Sequence, residues 1–152
     1  MQGPVGESRE RQTKYIDLTG KRILVIDDHQ TNRDILRLQL QSWHCIVEEA
    51  EDATAALKLL HQHAEDKAPF VIAFLDLQMP GMGGIAAMRR LRALDGGLGA
   101  VPVVALTAYA GSTDRQLALD AGMDAYLPKP IVVAEFYDLL RRLLPQGESG
   151  DG

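Results

Sequence analysis

The sequence predicts an α/β protein built on a doubly wound, five-stranded parallel sheet. Short segments that are apolar throughout alternate along the chain with segments whose apolar residues recur at helical spacing. Strands that are apolar on both faces are typical of a parallel sheet covered by helices on either side. A chain of 152 residues is long enough for one domain whose core needs no disulfide or structural metal.

The predicted strands are short, and polar residues follow most of them. They cover 22–28, 45–50, 70–76, 101–107 and 125–127. Asp27 and Asp28 close the first strand, Asp76 closes the third, and Thr107 closes the fourth. The order of strands and helices therefore predicts right-handed crossovers between parallel neighbours.

Five predicted helices separate and follow these strands. Their apolar positions are Ile35, Leu36, Leu38, Leu40 and Trp43; Ala53, Ala56, Leu57, Leu60 and Ala64; Ile85, Met88 and Leu91; Leu117, Ala118 and Ala121; and Val133, Phe136, Tyr137, Leu140 and Leu144. Asp52 is expected to cap the second helix and Gly122 to end the fourth. The fourth helix, at about 113–121, has the poorest apolar stripe.

Composition and charge exclude several classes of protein. The net charge is −5 and the 16 basic residues are scattered, so direct binding to nucleic acid is not expected. Cys45 is the single cysteine, which excludes an internal disulfide and a multi-cysteine zinc site. No apolar run approaches the roughly 18 residues of a membrane span. We expect a cytoplasmic domain that makes no membrane contacts of its own. A membrane-anchored parent protein is compatible with this expectation.

Both ends of the chain have the composition of linkers. Residues 1–19 combine charges with Gly3, Pro4 and Gly6 and are interpreted as a linker or lead-in. Residues 145–152 contain three glycines and two acids and are interpreted as a C-terminal linker. The folded domain is expected at 20–144. Linkers on both sides favour a module of a longer protein, and ordinary frayed termini are the alternative.

Polar residues at the strand ends predict a site at one edge of the sheet. In open α/β sheets the binding crevice lies beyond the carboxyl ends of the strands, where Asp27, Asp28, Asp76, Thr107 and Lys129 would meet. Three carboxylates resist being ionised together without a cation. Lys129 supplies one positive charge, and an oxygen-ligated ion such as Mg²⁺ would supply the rest. A carboxylate in that setting can attack phosphorus and become an acyl phosphate.

Four segments in chain order carry a family resemblance. ILVIDD at 23–28, DLQMPGMGG at 76–84, Thr107-Ala108 and Lys129-Pro130 resemble the receiver domain of two-component response regulators. The resemblance covers about 20–144 and implies a (βα)5 fold with the flavodoxin-like strand order 2-1-3-4-5. The stretch DDHQTNR at 27–33 is most similar to receivers of hybrid sensor histidine kinases.

The resemblance implies a role for each acid of the site. Asp76 would accept a phosphoryl group from a phosphohistidine. Asp28, Asp76 and the backbone carbonyl of Gln78 would ligate Mg²⁺, and Asp27 would act through a metal-bound water. The implied donors are a histidine kinase dimerisation domain or a histidine phosphotransfer domain.

The resemblance also implies roles for residues around the phosphoryl group. Lys129 would bind one phosphoryl oxygen, Thr107 would swing in to bond another, and Tyr126 would be the switch aromatic. The Lys129–Pro130 peptide bond is expected to be cis. His29 stands where hybrid receivers often carry Asn, and its ring would make metal binding sensitive to pH.

Two further expectations concern output and lifetime. Gln78 and Tyr109 are expected to border the approach of a hydrolytic water, so that the phosphoryl group persists for minutes or longer. The signalling face is expected on the fourth helix, the fifth strand and the fifth helix, because the fourth helix is weakly packed. The same face would support a weak homodimer.

Other classes of function remain as alternatives. A degenerate receiver would serve only as a docking surface, but the acids, Thr107 and Lys129 are intact. A phosphatase of the aspartyl-phosphate type needs a second acid two residues after its nucleophile, where this chain has Gln78. A flavodoxin-type FMN carrier needs a Ser/Thr-rich phosphate loop after the first strand, and this sequence has none there. The favoured module catalyses its own phosphorylation and dephosphorylation and is not a turnover enzyme.

Overall fold

The structure is a computed structural model of the whole chain. It describes residues 17–63, 70–77, 86, 89, 90, 92, 93, 101–107, 116 and 119–144. Within these residues, no helix has both the length and the apolar character needed to cross a lipid bilayer.

The described strands form one parallel sheet of five members. They are β1 (Arg22–Ile26), β2 (Ile46–Ala50), β3 (Phe70–Asp76), β4 (Val103–Thr107) and β5 (Ala125–Pro128). Their order across the sheet is β2-β1-β3-β4-β5, and each neighbouring pair is parallel. The predicted parallel sheet and its 2-1-3-4-5 order are therefore confirmed.

Three helices have described bounds, namely α1 (Gln30–Ser42), α2 (Ala53–Gln62) and α3 (Val133–Leu143). Helical residues also occur at 86, 89, 90 and 92 and at 116, 119 and 120, where the third and fourth helices were predicted. The helix α3 is the fifth predicted helix. Asp52 caps α2 as predicted, since its carboxylate accepts a hydrogen bond of 2.8 Å from the Ala55 amide.

Side chains on alternate positions of the strands form two separate cores, one on each face of the sheet. Leu24 and Ile26 of β1 belong to the core covered by α2, and Ile23 and Val25 belong to the core covered by α1 and α3. Both faces of the sheet are thus shielded by helices. This explains why the strands are apolar throughout instead of alternating between apolar and polar residues.

The core beneath α1 and α3 is organised around aromatic rings. Phe136 of α3 is completely buried, and its ring packs edge-on against Phe74 of β3 with centroids 5.1 Å apart. Trp43, at the end of α1, lies 5.5 Å from the same Phe136 ring. Leu18, just before β1, is also buried in this core. The single aromatic side chain of Phe136 therefore joins α1 and α3 to the centre of the sheet.

The predicted apolar faces of the first and fifth helices were partly wrong. In α1, Leu36 and Leu40 are buried, but Ile35 and Leu38 are 54% and 60% exposed. In α3, Val133 is exposed, and Leu139, which the prediction omitted, is buried. The buried residues of α1 follow i, i+3 and i+7 from Arg33, so the buried stripe is narrower than the run of apolar residues.

We predict that Phe136→Ala lowers the free energy of unfolding by about 3–5 kcal/mol, because it removes a fully buried ring and leaves a cavity. Urea denaturation followed by Trp43 fluorescence measures the change. Val133→Ala, an exposed position on the same helix, serves as the matched control and should change stability by less than about 1 kcal/mol. A loss below about 1 kcal/mol in Phe136→Ala would contradict the central role of this ring.

Candidate functional site

The site lies where the chain reverses its direction of travel across the sheet. From β1 the chain crosses to β2 on one side, and then returns to β3 on the other side of β1. The crossovers therefore diverge above the carboxyl ends of β1 and β3, which leaves a crevice there. Asp27 directly follows β1, and Asp76 is the last residue of β3, so both acids open into this crevice.

Lys129 lies between these two acids. Its Nζ donates a hydrogen bond of 3.1 Å to Asp76 Oδ1 and lies 3.8 Å from Asp27 Oδ2. Its backbone amide donates to the Thr107 carbonyl at 2.9 Å, which anchors the segment after β5 to the end of β4. The Lys129–Pro130 peptide bond is cis, as predicted. One ammonium group is thereby held against two carboxylates that are almost completely buried.

The turn between β1 and α1 fixes the first acid of the pair. The Asp27 amide donates to the Ala50 carbonyl at 3.0 Å, and Asp27 Oδ1 accepts a bond of 2.9 Å from the His29 amide. Asp27 Oδ2 is buried without a hydrogen-bond partner among the described residues. The Oδ1 atom of this carboxylate is therefore hydrogen-bonded within the turn, and its Oδ2 atom lies on the side of Lys129.

Asp28 also presents a buried oxygen, Oδ1, that has no hydrogen-bond partner in the described part of the chain. His29 Nδ1 lies 3.0 Å from this oxygen, an approach that becomes an ion pair only when the imidazole is protonated. The His29 side chain is two-thirds exposed. Its ring thus lies close to both acids of the pair.

The electrostatics of the site favour an additional cation. Burial raises the pKa of Asp27, and the neighbouring charge of Asp76 raises it further. The hydrogen bond from the His29 amide and the ammonium of Lys129 oppose that rise without cancelling it. A buried carboxylate with an unsatisfied oxygen is stabilised by a positive charge placed against it.

The arrangement of oxygen atoms fits a hard divalent cation. Asp27, Asp28, His29 and Asp76 each offer one ligand atom, and these atoms all lie within 4.8 Å of one another. Oxygen ligands from carboxylates are those that Mg²⁺ prefers, with water completing its coordination. Asp27 and Asp28 both belong to this cluster, and each has one buried oxygen without a hydrogen-bond partner among the described residues, so the donor set suits Mg²⁺.

Of the remaining predicted site residues, the structure describes Thr107 and Tyr126. Thr107 is buried at the end of β4, and Tyr126 of β5 pairs in register with Ala105. Since Ala105 and Thr107 are two residues apart, Thr107 and Tyr126 lie on the same face of the sheet. Gln78 and Tyr109 lie outside the described residues, so their proposed effect on lifetime stays a prediction.

The structure adds two features that the sequence reasoning missed. Arg33 is buried and donates to the Asp27 carbonyl, although it was not singled out as a site residue. A cavity of about 420 Å³ beside Asp27 and Lys129 is lined on its apolar side by Ile35 and Ile131. The spacing of Arg33 from Leu36 and Leu40 was the available signal, because it places Arg33 on the buried stripe.

We predict that Asp27→Asn stabilises the metal-free fold at neutral pH. Because folding raises the pKa of Asp27, the ionised carboxylate lowers the free energy of unfolding. This loss is absent below the ordinary carboxyl pKa of 3.8, where Asp27 is protonated in both states, and it is complete above the raised pKa. Urea denaturation in EDTA should show a gain in the free energy of unfolding near pH 7.5 that shrinks as the pH falls toward 4.

Asp34→Asn is the matched control for this effect. Asp34 accepts hydrogen bonds from Gln30 and Arg37, which lower its pKa, so neutralising it should not stabilise the protein. A loss of stability in metal-free Asp27→Asn would show that Lys129 already balances the charge of the site.

Comparison with proteins of known sequence places these features in a family. A sequence model of the response regulator receiver domain matches residues 23–141. The response regulator MprA of Mycolicibacterium vanbaalenii is 38% identical over 131 residues, which are 86% of this chain and 53% of that protein. Hybrid signal transduction histidine kinase L of Dictyostelium discoideum is 32% identical over 147 residues, 95% of this chain and 8% of the kinase. The chain thus spans about half the length of MprA.

Solved structures share the fold. The receiver domain of sensor histidine kinase PA1611 from Pseudomonas aeruginosa, solved with a magnesium ion coordinated in the active site cleft, superposes with a TM-score of 0.68 at 30% identity, covering 82% of this chain and 98% of that one. The receiver domain of Saccharomyces cerevisiae Ssk1, solved with the histidine phosphotransfer protein Ypd1, superposes at 0.74 with 24% identity, covering 86% and 91%. With the strand order, the family match and the relatives in agreement, the chain belongs to the receiver domains of two-component response regulators.

Proposed function

We propose that this receiver domain takes a phosphoryl group from a phosphohistidine onto Asp76, with Mg²⁺, as one step of a phosphorelay. The observation that carries the proposal is the contact of 3.1 Å between Lys129 Nζ and Asp76 Oδ1 inside a cluster of carboxylates with unsatisfied oxygens. This arrangement holds the Asp76 carboxylate against a fixed ammonium group at the edge of the crevice. An ionised carboxylate beside a fixed cation is a suitable nucleophile for phosphorus.

The chemical step forms one bond and breaks one. A carboxylate oxygen of Asp76 attacks the phosphorus atom, and the P–N bond to the donor imidazole breaks. The electron pair of that bond returns to the imidazole, which leaves as a neutral ring because its other nitrogen carries a proton. Lys129 stabilises the charge on the phosphoryl oxygens, and Thr107 donates its hydroxyl hydrogen to one of them.

Magnesium would be held by carboxylate oxygens of Asp28 and Asp76, by the Gln78 carbonyl, and by Asp27 through a water. When bound, the ion neutralises negative charge on the acids and on the phosphoryl oxygens. The unsatisfied oxygens of Asp27 and Asp28 support this assignment, since each lies buried without a hydrogen-bond partner on a residue of the cluster. His29 stands at the rim, where its own protonation would compete with the metal for Asp28.

The output is proposed to pass through Thr107 and Tyr126. These two residues share one face of the sheet on adjacent strands, so movement of Thr107 toward a phosphoryl group would alter the space open to Tyr126. Such a ligand-dependent shift between two packed arrangements changes the surface presented by the fourth helix, β5 and α3. Altered binding at that face, including a weak homodimer, would be the signal.

The donor is proposed to dock beside the site through exposed apolar side chains. Ile35 and Leu38 share one face of α1, and Val132 and Val133 are exposed at the start of α3. Ile35 and Ile131 line the cavity that also contains Asp27 and Lys129. A helical histidine phosphotransfer or dimerisation domain, with its phosphohistidine on an exposed helix, would cover this apolar rim while presenting phosphorus to Asp76.

The setting of the module is proposed from its relatives. The match to a hybrid histidine kinase supports a receiver attached to a larger signalling protein. The exchange would take place in the cytoplasm, and the buried Cys45 thiol, whose pKa burial raises to about 11, would stay reduced and unreactive there.

We predict that acetyl phosphate with Mg²⁺ adds one phosphoryl group to the wild-type protein and none to Asp76→Asn. Intact-mass measurement detects the adduct, and hydroxylamine should remove it because it is an acyl phosphate. Asp138→Asn, an acid on α3 paired with Arg141, is the control and should be phosphorylated like the wild type. An adduct that persists in Asp76→Asn would overturn the assignment of the acceptor, and its absence from the wild type would indicate a degenerate receiver.

We predict that Ile35→Asp slows phosphoryl transfer from a protein donor by at least tenfold, because it places a charge in the proposed apolar contact. Phosphorylated Ypd1 of Saccharomyces cerevisiae is the probe, and loss of label from the donor gives the rate. Phosphorylation by acetyl phosphate should stay within about twofold of wild type, since a small donor does not need the protein contact.

Leu119→Asp is the matched control for this docking surface. Leu119 is 48% exposed on the fourth helical segment, within the proposed output face. Its substitution should leave transfer from Ypd1 within about twofold of wild type. A larger loss in Leu119→Asp than in Ile35→Asp would place the donor on the output face instead.

A further inference from the structure

Four polar or charged residues among the described ones are buried, and three of them, Asp27, Asp76 and Thr107, belong to the site already discussed. The fourth is Arg33 of α1, whose guanidinium group makes three hydrogen bonds in three directions. It donates to the Asp27 backbone carbonyl at 2.6 Å, to Gln30 Oε1 at 2.6 Å and to Glu49 Oε1 at 3.1 Å. Burying a charged side chain is costly unless it is paired and hydrogen-bonded, and Arg33 meets this requirement through Glu49, Gln30 and the acid turn.

The bond to the Asp27 carbonyl acts on the peptide that joins the two acids. A peptide unit is planar, so the direction of the Asp27 carbonyl sets the direction of the Asp28 amide and the position of the Asp28 Cα atom. The Asp27 amide is already held by the Ala50 carbonyl at 3.0 Å. With Arg33 on the carbonyl, the main chain of Asp27 is held at both ends, and both carboxylates emerge from a fixed frame.

Glu49 holds the guanidinium group in place from the neighbouring strand. Its Oε1 accepts from Arg33 Nε, and its Oε2 accepts from Arg37 Nη1 at 3.1 Å. Both arginines therefore tie α1 to β2 through the same carboxylate. Arg37, however, donates from the same Nη1 to Asp34 at 2.6 Å, and it makes no hydrogen bond to the described residues of the turn that carries the acids.

We propose that Arg33 is a positioning residue for the phosphoacceptor site, which orients the carboxylates of Asp27 and Asp28 for the metal ion by fixing the peptide between them. The inference rests on the proposed function, because it assigns Arg33 a task in the same Mg²⁺-dependent site. Groups that orient metal ligands from behind typically contribute 10–100-fold to metal affinity. Arg33 thus acts through Asp27 and Asp28 and does not touch the phosphoryl group.

The test compares Arg33→Met with Arg37→Met in the whole chain. Both variants remove one guanidinium from Glu49, but only Arg33→Met releases the Asp27 carbonyl. Calorimetric titration with Mg²⁺ should show an affinity about tenfold weaker in Arg33→Met and within about twofold of wild type in Arg37→Met. Urea denaturation of both variants separates this effect from a general loss of stability.

A second readout uses the metal-free protein. The His29 amide donates to Asp27 Oδ1 at 2.9 Å, so its hydrogen exchange reports whether the acid turn keeps its geometry. Exchange at His29 should accelerate at least tenfold in Arg33→Met and remain near wild type in Arg37→Met. If Arg33→Met does not fold, Arg33→Lys carries the test. A single ammonium nitrogen cannot reproduce bonds that arginine makes from three separate nitrogens, so Mg²⁺ affinity should still fall at least threefold.

The outcomes separate this inference from the proposed function. Magnesium affinity within about twofold of wild type in the folded Arg33 variants, or equal losses in Arg33→Met and Arg37→Met, would overturn the positioning role. A wild-type protein that neither binds Mg²⁺ nor accepts a phosphoryl group would overturn the proposed function itself.

Discussion

The crowding of negative charge at the ends of β1 and β3 is the constraint on which the rest of the structure depends. Three carboxylates meet there, two of them almost completely buried, and one ammonium group lies against them. Carboxylates in such a place are normally neutralised by protonation, by pairing or by a metal ion. The site therefore favours an additional positive charge, which a divalent cation would supply. In the proposed function, the same cation would also offset the negative charge of the phosphoryl group.

The hydrophobic cores on the two faces of the sheet stabilise the fold and so hold this unfavourable cluster in place. The two cores on opposite faces of the sheet fix β1 and β3 side by side, and the Phe74–Phe136 contact connects the central strand to α3. The segment after β5 is bonded to the end of β4, which fixes the origin of Lys129. The unfavourable free energy of crowding these charges is thus offset by the apolar surface buried in the two cores, as is common at functional sites.

Most of the fold and the charged core of the site could be predicted from the sequence, because buried parallel strands are apolar on both faces and their ends are marked by polar residues. The limits of β3 and the convergence of Asp27, Asp76 and Lys129 follow from that pattern. Helix orientation was harder to predict, because an apolar residue in α1 can serve either the core or an external surface. Ile35 and Leu38 are residue types typical of a hydrophobic core, but their side chains lie on the exposed face of α1.

Arg33 shows a different limit of sequence reasoning. A charged residue on a helix is ordinarily solvated, and nothing in its type indicates that it bonds to a main-chain carbonyl beneath the helix. Only the packing of α1 against β2, with Glu49 facing the same space, makes its burial favourable. The ligand geometry that depends on Arg33 is therefore a property of the tertiary structure rather than of the motif.

The most direct test of the central claim is the position of a bound metal. Crystals of the protein grown with Mn²⁺ in place of Mg²⁺ would locate the ion by anomalous scattering. We predict a single strong peak within bonding distance of carboxylate oxygens from Asp28 and Asp76. A crevice without a peak at saturating Mn²⁺, or an ion bound only at acids elsewhere on the surface, would contradict it.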